Sequence, residues 1–569
     1  MQKRFISIAA LASCLFTAAP AGADVDTGAY LAAKYAQSVN DFHAAGRFYV
    51  LGLRADPGHV DMRDSAQRAY VAQGDFANAV PMAQALVDQG QANSVSHLIL
   101  RTRDFAAGDW DGVLASLDAG HSIGPLVDGI SRGWAYIGRG DMASGMAAFD
   151  TVIAHESMVY YGLTHKAYAL AAVGDFEGAH RLLVNGTDGM RYSRQSALAH
   201  AQILSQLGQN DSAIELLESI FGPRLAPELA AMRDALRAGE AVAYDAVRTP
   251  AQAMGDLFHV IATLIEDETP TAFTLVYTRA ANHLWPDHAS AQLMTARLLE
   301  DVGQYDLANA AYARVPQDDP LYHAAELGRA EALRAAGRDE AAVEVLDGLA
   351  RRFPELAEVY AAKGDTLREA RRYAEANRAY TEALARYDDL DRTKWFVYYV
   401  RAITHHRLDD WEAAEADFRA ALALRPEQPQ VLNYLGYSLV ERGEKLDEAL
   451  AMIETAVAAR PDNGAIVDSL GWVYFKLGRF DDAVAHLEHA ASLEPADPTI
   501  NDHLGDALWA VGRVIEARFQ WQRALSFGPA EDEAVRIRAK LDDGLDAVLA
   551  EEGRDPIRFA GEDSVGEDS

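Results

Sequence analysis

Cysteine is almost absent from this sequence: Cys14 is the single one in 569 residues. It lies among apolar residues close to the N-terminus, so a chain cleaved after Ala23 would contain none. Disulfide bonds and thiol chemistry are then excluded from the mature protein. Beyond this segment no run reaches about 18 uninterrupted apolar residues, so the sequence predicts no transmembrane helix.

Positive charge is also scarce. The chain has 52 Lys and Arg against 85 Asp and Glu, which gives a formal net charge of −33. Such a protein repels phosphate backbones, so nucleic acid is excluded as an expected partner. Runs of Val, Ile and Thr are few while alanine is abundant, and this composition favours helices over sheets.

Residues 1–23 have the pattern of an export signal. A basic start, MQKR, precedes the apolar stretch FISIAALASCLFTAA, and Ala21-Gly22-Ala23 forms a small-x-small cleavage site before Asp24. The predicted location is therefore the periplasm or the exterior. A second processing route stays open, because Leu11-Ala12-Ser13-Cys14 resembles the lipobox of bacterial lipoproteins. In that case Cys14 would be acylated and the protein tethered to the outer membrane.

A repeat of about 34 residues runs through the chain. One glycine marks it, and Arg371 and Asp409 hold the equivalent place in two copies. The glycines are Gly74, Gly108, Gly140, Gly174, Gly208, Gly303, Gly337, Gly443, Gly478 and Gly512. Glycine suits this place because a helix that ends in a left-handed cap strains any side chain.

An alanine follows ten of these twelve places, five residues later or, for Ala449, six, where a second helix would cross the first closely. The alanines are Ala79, Ala179, Ala213, Ala308, Ala342, Ala376, Ala414, Ala449, Ala483 and Ala517. Prolines such as Pro461 and Pro495 then close the unit, since proline cannot donate the next helical hydrogen bond. Each unit is predicted to be a helix–turn–helix hairpin that buries its apolar face only against its neighbours.

This pattern resembles the tetratricopeptide repeat family. The resemblance is strongest at Leu470-Gly471, Tyr474, Ala483 and Leu487 and recurs in the following unit. It implies an all-α fold, a right-handed superhelical solenoid of hairpins in two arms. Gly145 replaces the expected alanine in one unit and residues 388–393 form an inserted loop in another, so these two units are expected to be looser.

The predicted organisation follows from where the repeat is regular. It is a signal peptide at 1–23, an N-terminal arm of about six units at 24–227, a degenerate helical seam at 228–288, a C-terminal arm of about seven units at 289–531, a capping helix at 532–551 and an acidic disordered tail at 552–569.

Catalytic signatures are missing from the sequence. It contains no HExxH, GxSxG or phosphate-binding loop, so no enzyme activity, metal or cofactor is predicted. An alternative from another class is an enzyme with its site in the non-repeating segment 228–288. The residues that such a site would use are His259, Glu266, Asp267, Glu268, His283 and His288.

The family resemblance implies that the first helix of each hairpin lines a concave groove that binds a protein or peptide. Spacings of three and four residues put several aromatic and polar side chains on that face. The predicted partner-binding residues are Phe396, Tyr399, Asn433, Tyr437, Asp468, Trp472, Phe475, Asp502, Asp506 and Trp509. The acidic members favour a partner with basic or amide groups.

The C-terminal third also resembles Gram-negative envelope repeat proteins, through LNYLGYSLVERG and IVDSLGWVYFKLGR. That resemblance implies a non-enzymatic adaptor that delivers substrates to a carboxyl-terminal processing protease. A scaffold for polysaccharide or cell-envelope secretion is the alternative within the same binding class.

Overall fold

The computed structural model describes residues 25–186, 192–223, 225, 227–388 and 391–557. Across these ranges the chain forms 31 α-helices and two short 3-10 helices, and no β-strand. The prediction of an all-α solenoid of helix–turn–helix hairpins is confirmed. The predicted signal peptide, including Cys14, and residues 558–569 of the predicted acidic tail lie outside the described residues.

The described residues fall into two compact units, which divide after Leu349. Helices α1 to α19 begin in the first unit. They are α1 (Val25–Ser38), α2 (Phe42–Ala55), α3 (Val60–Gln73), α4 (Phe76–Asp88), α5 (Ser94–Ala107), α6 (Trp110–Asp118), α7 (Pro125–Gly138), α8 (Met142–Ile153), α9 (Val159–Ala172), α10 (Phe176–Gly186), α11 (Arg194–Gln206), α12 (Asn210–Phe221), α13 (Pro227–Arg237), α14 (Pro250–Ile265), α15 (Thr271–Leu284), α16 (Ala289–Asp301), α17 (Tyr305–Tyr312), α18 (Tyr322–Ala335) and α19 (Asp339–Arg352).

The second unit contains the remaining helices. They are α20 (Ala357–Glu369), α21 (Tyr373–Leu384), α22 (Trp395–Arg407), α23 (Trp411–Leu424), α24 (Pro429–Glu441), α25 (Leu446–Ala459), α26 (Gly464–Lys476), α27 (Phe480–Leu493), α28 (Pro498–Ala510), α29 (Val514–Ser526), α30 (Glu531–Asp543) and α31 (Leu545–Glu551). The predicted inserted loop ends in a short 3-10 helix (Arg392–Lys394).

The repeat glycines adopt the left-handed backbone conformation that their spacing predicts. All ten have φ between 65° and 86°, the left-handed region, directly after the first helix of a hairpin. Arg371 (φ 58°) and Asp409 (φ 60°) adopt the same conformation without being glycine. The turn geometry is therefore set by the repeat itself, and in two copies the packing of the hairpin holds a strained residue in place.

The ten repeat alanines are completely buried, each with 0% exposure. In the unit where Gly145 stands instead, an added Cβ would lie 2.6 Å from Cγ1 of Ile137 and 3.0 Å from the carbonyl oxygen of Gly133. The expectation of a looser unit is wrong here. Glycine is required at this place because the side chain of Ile137 occupies the space that a methyl group would take.

Segment 228–288 is not where the chain divides, contrary to the prediction of a seam. Helix α14 packs on α5 and α7, and α15 packs on α3 and α5, all within the first unit. Nε of Arg279 on α15 donates to the carbonyl oxygen of Ala72 at 2.9 Å, and His283 stacks on Phe76 with ring centroids 4.3 Å apart. This hairpin fits the repeat poorly because it is buried on several faces rather than on one stripe.

Replacement of Gly145 by alanine tests the close approach of α7 and α8. We expect Gly145→Ala to lower the stability by about 1–3 kcal/mol through overpacking, although alanine is the residue at this place in ten other hairpins. The control is Gly28→Ala in α1, where nothing lies within 4 Å of an added Cβ. There the better helix propensity of alanine should leave stability unchanged or raise it by up to about 1 kcal/mol. Thermal unfolding followed by circular dichroism measures both, and equal effects would contradict the close packing.

Candidate protein-binding surface

The first helices of successive hairpins in the second unit form one layer. Helix α24 contacts α26, and α26 contacts α28, whereas each second helix packs between the two first helices that flank it. We refer to α22, α24, α26, α28 and α30 together as the first-helix layer. All ten predicted partner-binding residues lie on it.

The ten residues differ strongly in exposure. Phe396 is 44% exposed. Five are half-buried: Tyr399, Asn433, Tyr437, Asp502 and Trp509. Four are buried: Asp468, Trp472, Phe475 and Asp506. The first-helix layer therefore offers a partner an aromatic surface near α22 and α24, and its α26–α28 portion is closed by the chain itself.

Trp472 packs against the next hairpin instead of facing a groove, which corrects the prediction for this residue and for Phe475. Its ring stacks on Phe475 at 4.8 Å and on His503 of α28 at 3.9 Å. Its Nε1 donates to Oε1 of Glu441 on α24 at 2.5 Å. One indole thus joins three successive first helices, and only 7% of it remains exposed.

The acidic residues of the layer already have cationic or basic partners within the chain. Asp468 bonds Nδ1 of His503 at 3.0 Å, and Nζ of Lys540 on α30 donates to Asp502 at 2.7 Å and to Asp506 at 2.6 Å. These carboxylates join each first helix to the next. Their charges are therefore already engaged in contacts between hairpins, and that these residues attract a basic partner stays a prediction.

The capping segment is two helices and not one. Gly544, with φ 86°, separates α30 from α31. A Cβ at this position would lie 2.6 Å from Cη2 of Trp509, whose Nε1 donates to Oδ2 of Asp546 at 2.9 Å. The chain bends here so that α31 can cover Trp509, and this explains why that indole is half-buried.

Burial and charge set the ionisation of this end of the layer. Burial by itself would lower the pKa of the His503 imidazole, but the carboxylate of Asp468 more than offsets it, and the pKa lies above the usual 6.5. Burial and repulsion from Asp506 raise the pKa of Asp502, although Lys540 opposes the change. The two groups are held by long-range partners, which sequence spacing alone does not reveal.

The open part of the layer is aromatic. Phe396 lies 5.7 Å from Trp395 and 6.2 Å from Tyr399, measured between ring centroids. Tyr399 in turn lies 6.3 Å from Tyr434 of the next first helix. Burial raises the pKa of Tyr399, so its hydroxyl stays protonated near neutral pH. Trp395 and Tyr434 belong to this cluster although they were not among the predicted residues.

The residues of the alternative enzyme site are not gathered in one place. Glu266 pairs with Arg297 at 2.6 Å, and His283 stacks on Phe76. The rings of His259 and His288 are in contact, with their centroids 5.0 Å apart. In the described ranges, no group of three or more His, Cys, Asp or Glu side chains is arranged to hold a metal ion.

Protonation of His503 should make the stability depend on pH. The pKa of His503 is higher in the folded than in the unfolded chain, so its stabilising effect is complete below about pH 6.5 and is lost as the pH rises through the folded value. We expect the melting temperature to fall between about pH 6 and about pH 9, and His503→Gln to remove part of that slope. His489→Gln, at an exposed histidine of α27, is the matched control. An unchanged slope in His503→Gln would contradict the assignment.

No helix in the described part of the chain combines the length and apolar character needed to cross a membrane. Among curated proteins, a TPR repeat-containing protein, PA4667, of Pseudomonas aeruginosa is 32% identical over 195 residues. The match covers 33% of this chain and 32% of that protein, so the chain spans about a third of the length of the curated relative that it matches.

Solved structures with similar helix arrangements include a chain of the APC/C hetero-tetramer Cut9–Hcn1. It is 15% identical, with a TM-score of 0.37, and the match covers 92% of this chain and 96% of that one. Yeast Tom70 is 13% identical, with a TM-score of 0.33 and coverages of 93% and 96%. At these identities the similarity concerns the fold alone.

Two family models, each described as tetratricopeptide repeat, match the sequence. One matches residues 444–500 and the other residues 278–357 and 399–465. The matched segments contain the hairpins whose glycine caps and buried alanines were described above. These segments of the chain therefore contain tetratricopeptide repeats.

Proposed function

We propose that this protein is a non-enzymatic scaffold that holds a protein partner against the open part of its first-helix layer, around Phe396 and Tyr399. Tetratricopeptide repeats are scaffolds for protein–protein interaction, and the repeats here follow that architecture. The proposal adds where the partner binds and which chemistry it presents.

The exposure of Phe396 is the observation that carries the proposal. It is 44% exposed, while Trp472 and Phe475, two hairpins further on, are covered by the chain itself. A cluster of aromatic rings that packs on the core but stays partly exposed is the kind of surface that forms interaction hot spots.

The partner should present an apolar or aromatic side chain to this cluster. The carboxylates of α26 and α28 are already neutralised by His503 and Lys540, so they add little attraction for a basic segment. The anchor on the partner is therefore expected to bind by burial of apolar area, and its affinity should depend only weakly on salt.

Removal of the exposed ring tests this surface. We expect Phe396→Ala to weaken partner binding by about 30-fold, which corresponds to about 2 kcal/mol for a hot-spot residue. Folding should be little affected, because the ring is largely exposed. Phe519→Ala is the matched control, since Phe519 is 59% exposed on α29, a second helix outside the layer.

Affinity purification of the tagged chain from its own cells supplies the partner, and titration of the purified pair gives the dissociation constants. Equal affinities for Phe396→Ala and Phe519→Ala would place the binding surface elsewhere. Loss of the partner from both variants would mean that the effect of Phe396→Ala cannot be assigned to the first-helix layer.

We further propose that the scaffold works in the cell envelope and delivers substrates to a carboxyl-terminal processing protease. The signal pattern of residues 1–23 and the resemblance of the C-terminal repeats to envelope adaptors support this proposal. Fractionation of cells locates the protein, and mass determination of the mature chain distinguishes cleavage after Ala23 from acylation of Cys14. Co-purification without any protease would contradict the delivery role and leave the scaffold role intact.

A further inference from the structure

A cavity of about 650 Å³ lies in the first unit, between α9, the start of α11, α14 and the start of α16. Tyr160 and Tyr161 of α9 and Tyr192, just before α11, form its aromatic side, and Asp256 and His259 of α14 form its polar side. Cavities of this size accommodate small molecules or one to a few side chains of a partner. The repeat pattern gives no sign of it, because α14 is outside the regular repeat.

Asp256 is a buried carboxylate without a lysine or arginine partner. It is 2% exposed, and it accepts hydrogen bonds from Tyr168 at 3.2 Å and from Nε2 of His288 at 3.4 Å. Within the described ranges no Lys or Arg side chain pairs with it. Burial would raise the pKa of Asp256, but its bond to His288 lowers it, so the carboxylate carries its negative charge.

The neighbouring histidines each have a ring nitrogen that is already used or buried. Nδ1 of His288 accepts the backbone N–H of Ala291 at 3.3 Å as the cap of α16, while its Nε2 faces Asp256. Nδ1 of His165 likewise accepts a hydrogen bond from Nε1 of Trp134 at 3.1 Å. Burial lowers the pKa of His165 to about 4, consistent with a neutral ring.

His259 adds an unused polar atom to the same place. Its ring meets His288 edge to face, and its buried Nδ1 has no hydrogen-bond partner. Burial, followed by the proximity of His288, lowers the pKa of His259 to about 3, so this ring is neutral as well. A buried polar atom without a partner is costly, and a ligand that supplies a hydrogen bond would relieve the cost.

The aromatic side is suited to a cation. Tyr160 and Tyr161 meet edge to face at 5.3 Å, and the hydroxyl of Tyr160 is held by Ser196 at 3.0 Å. Arg194, which also lines the cavity, lies over the ring of Phe221 at 5.1 Å and acts electrostatically on Asp319.

We propose that this cavity receives a lysine or arginine side chain of the partner protein, with the ammonium or guanidinium group between the tyrosine rings and the carboxylate of Asp256. The inference rests on the proposed scaffold function and names a second contact, in the first unit. Cation–π contacts with tyrosine and an ion pair with a desolvated carboxylate select for a basic group over an apolar one of the same length.

The first experiment measures binding of three capped tripeptides, Gly-Lys-Gly, Gly-Arg-Gly and Gly-norleucine-Gly, to the full chain by saturation-transfer NMR and calorimetry. We expect the lysine and arginine peptides to bind at least about tenfold more tightly than the norleucine peptide, because the norleucine peptide cannot pair with Asp256. Asp256→Asn should abolish this preference. Asp287→Asn, which removes a carboxylate from the adjacent cavity, is the matched control and should keep it.

A second variant keeps the proposal testable if Asp256→Asn fails to fold. Tyr161→Leu leaves the carboxylate and removes one ring, and it should weaken the basic peptides several-fold. Equal binding of all three peptides, no binding to the folded protein, or an unchanged preference in Asp256→Asn would each overturn the proposal. Stoichiometric metal in the purified chain would overturn it as well. None of these results bears on the Phe396 surface, so the scaffold function would stand or fall separately.

Discussion

The close crossing of two helices at a small residue is the contact on which the rest of this protein depends. Ten alanines with no exposed surface sit at that crossing, nine of them five residues after a left-handed residue and Ala449 six residues after one. A hairpin with this crossing has one apolar face left over, and only the next hairpin can cover it. The solenoid therefore follows from a local constraint that is repeated about every 34 residues. Gly145 shows that this constraint is the space between the two helices and not the presence of alanine.

This locality explains which parts of the structure the sequence could predict. Turns and crossings depend on residues within one hairpin, so Arg371 and Asp409 could be assigned to left-handed turns without being glycine. The exposure of Trp472 could not be predicted, because its partners Glu441 and His503 lie about one repeat away on either side. A pattern that places a side chain on the inner face does not say whether the next hairpin reaches it.

Other differences had signals in the sequence. Gly544 interrupts the segment predicted as one capping helix, and a glycine inside a helical pattern weakens the prediction of a continuous helix. Helix α15 carries Leu275, Val276 and Ala280 without a polar stripe, which is typical of a helix buried on several sides. The composition of α15 therefore indicates that this helix is buried. It does not indicate that the helices in contact with it are α3 and α5.

Charge distribution connects these observations to function. In the second unit several carboxylates of the first-helix layer join hairpins, as Asp502 and Asp506 do with Lys540. In the first unit the carboxylate of Asp256 is equally buried, but it bonds Tyr168 and His288 and contacts no lysine or arginine among the described residues. Burial of a charge without a counterion opposes folding unless something offsets it. Asp256 lines the same cavity as three tyrosines, and a basic side chain of a partner bound there would offset this cost, as we propose above.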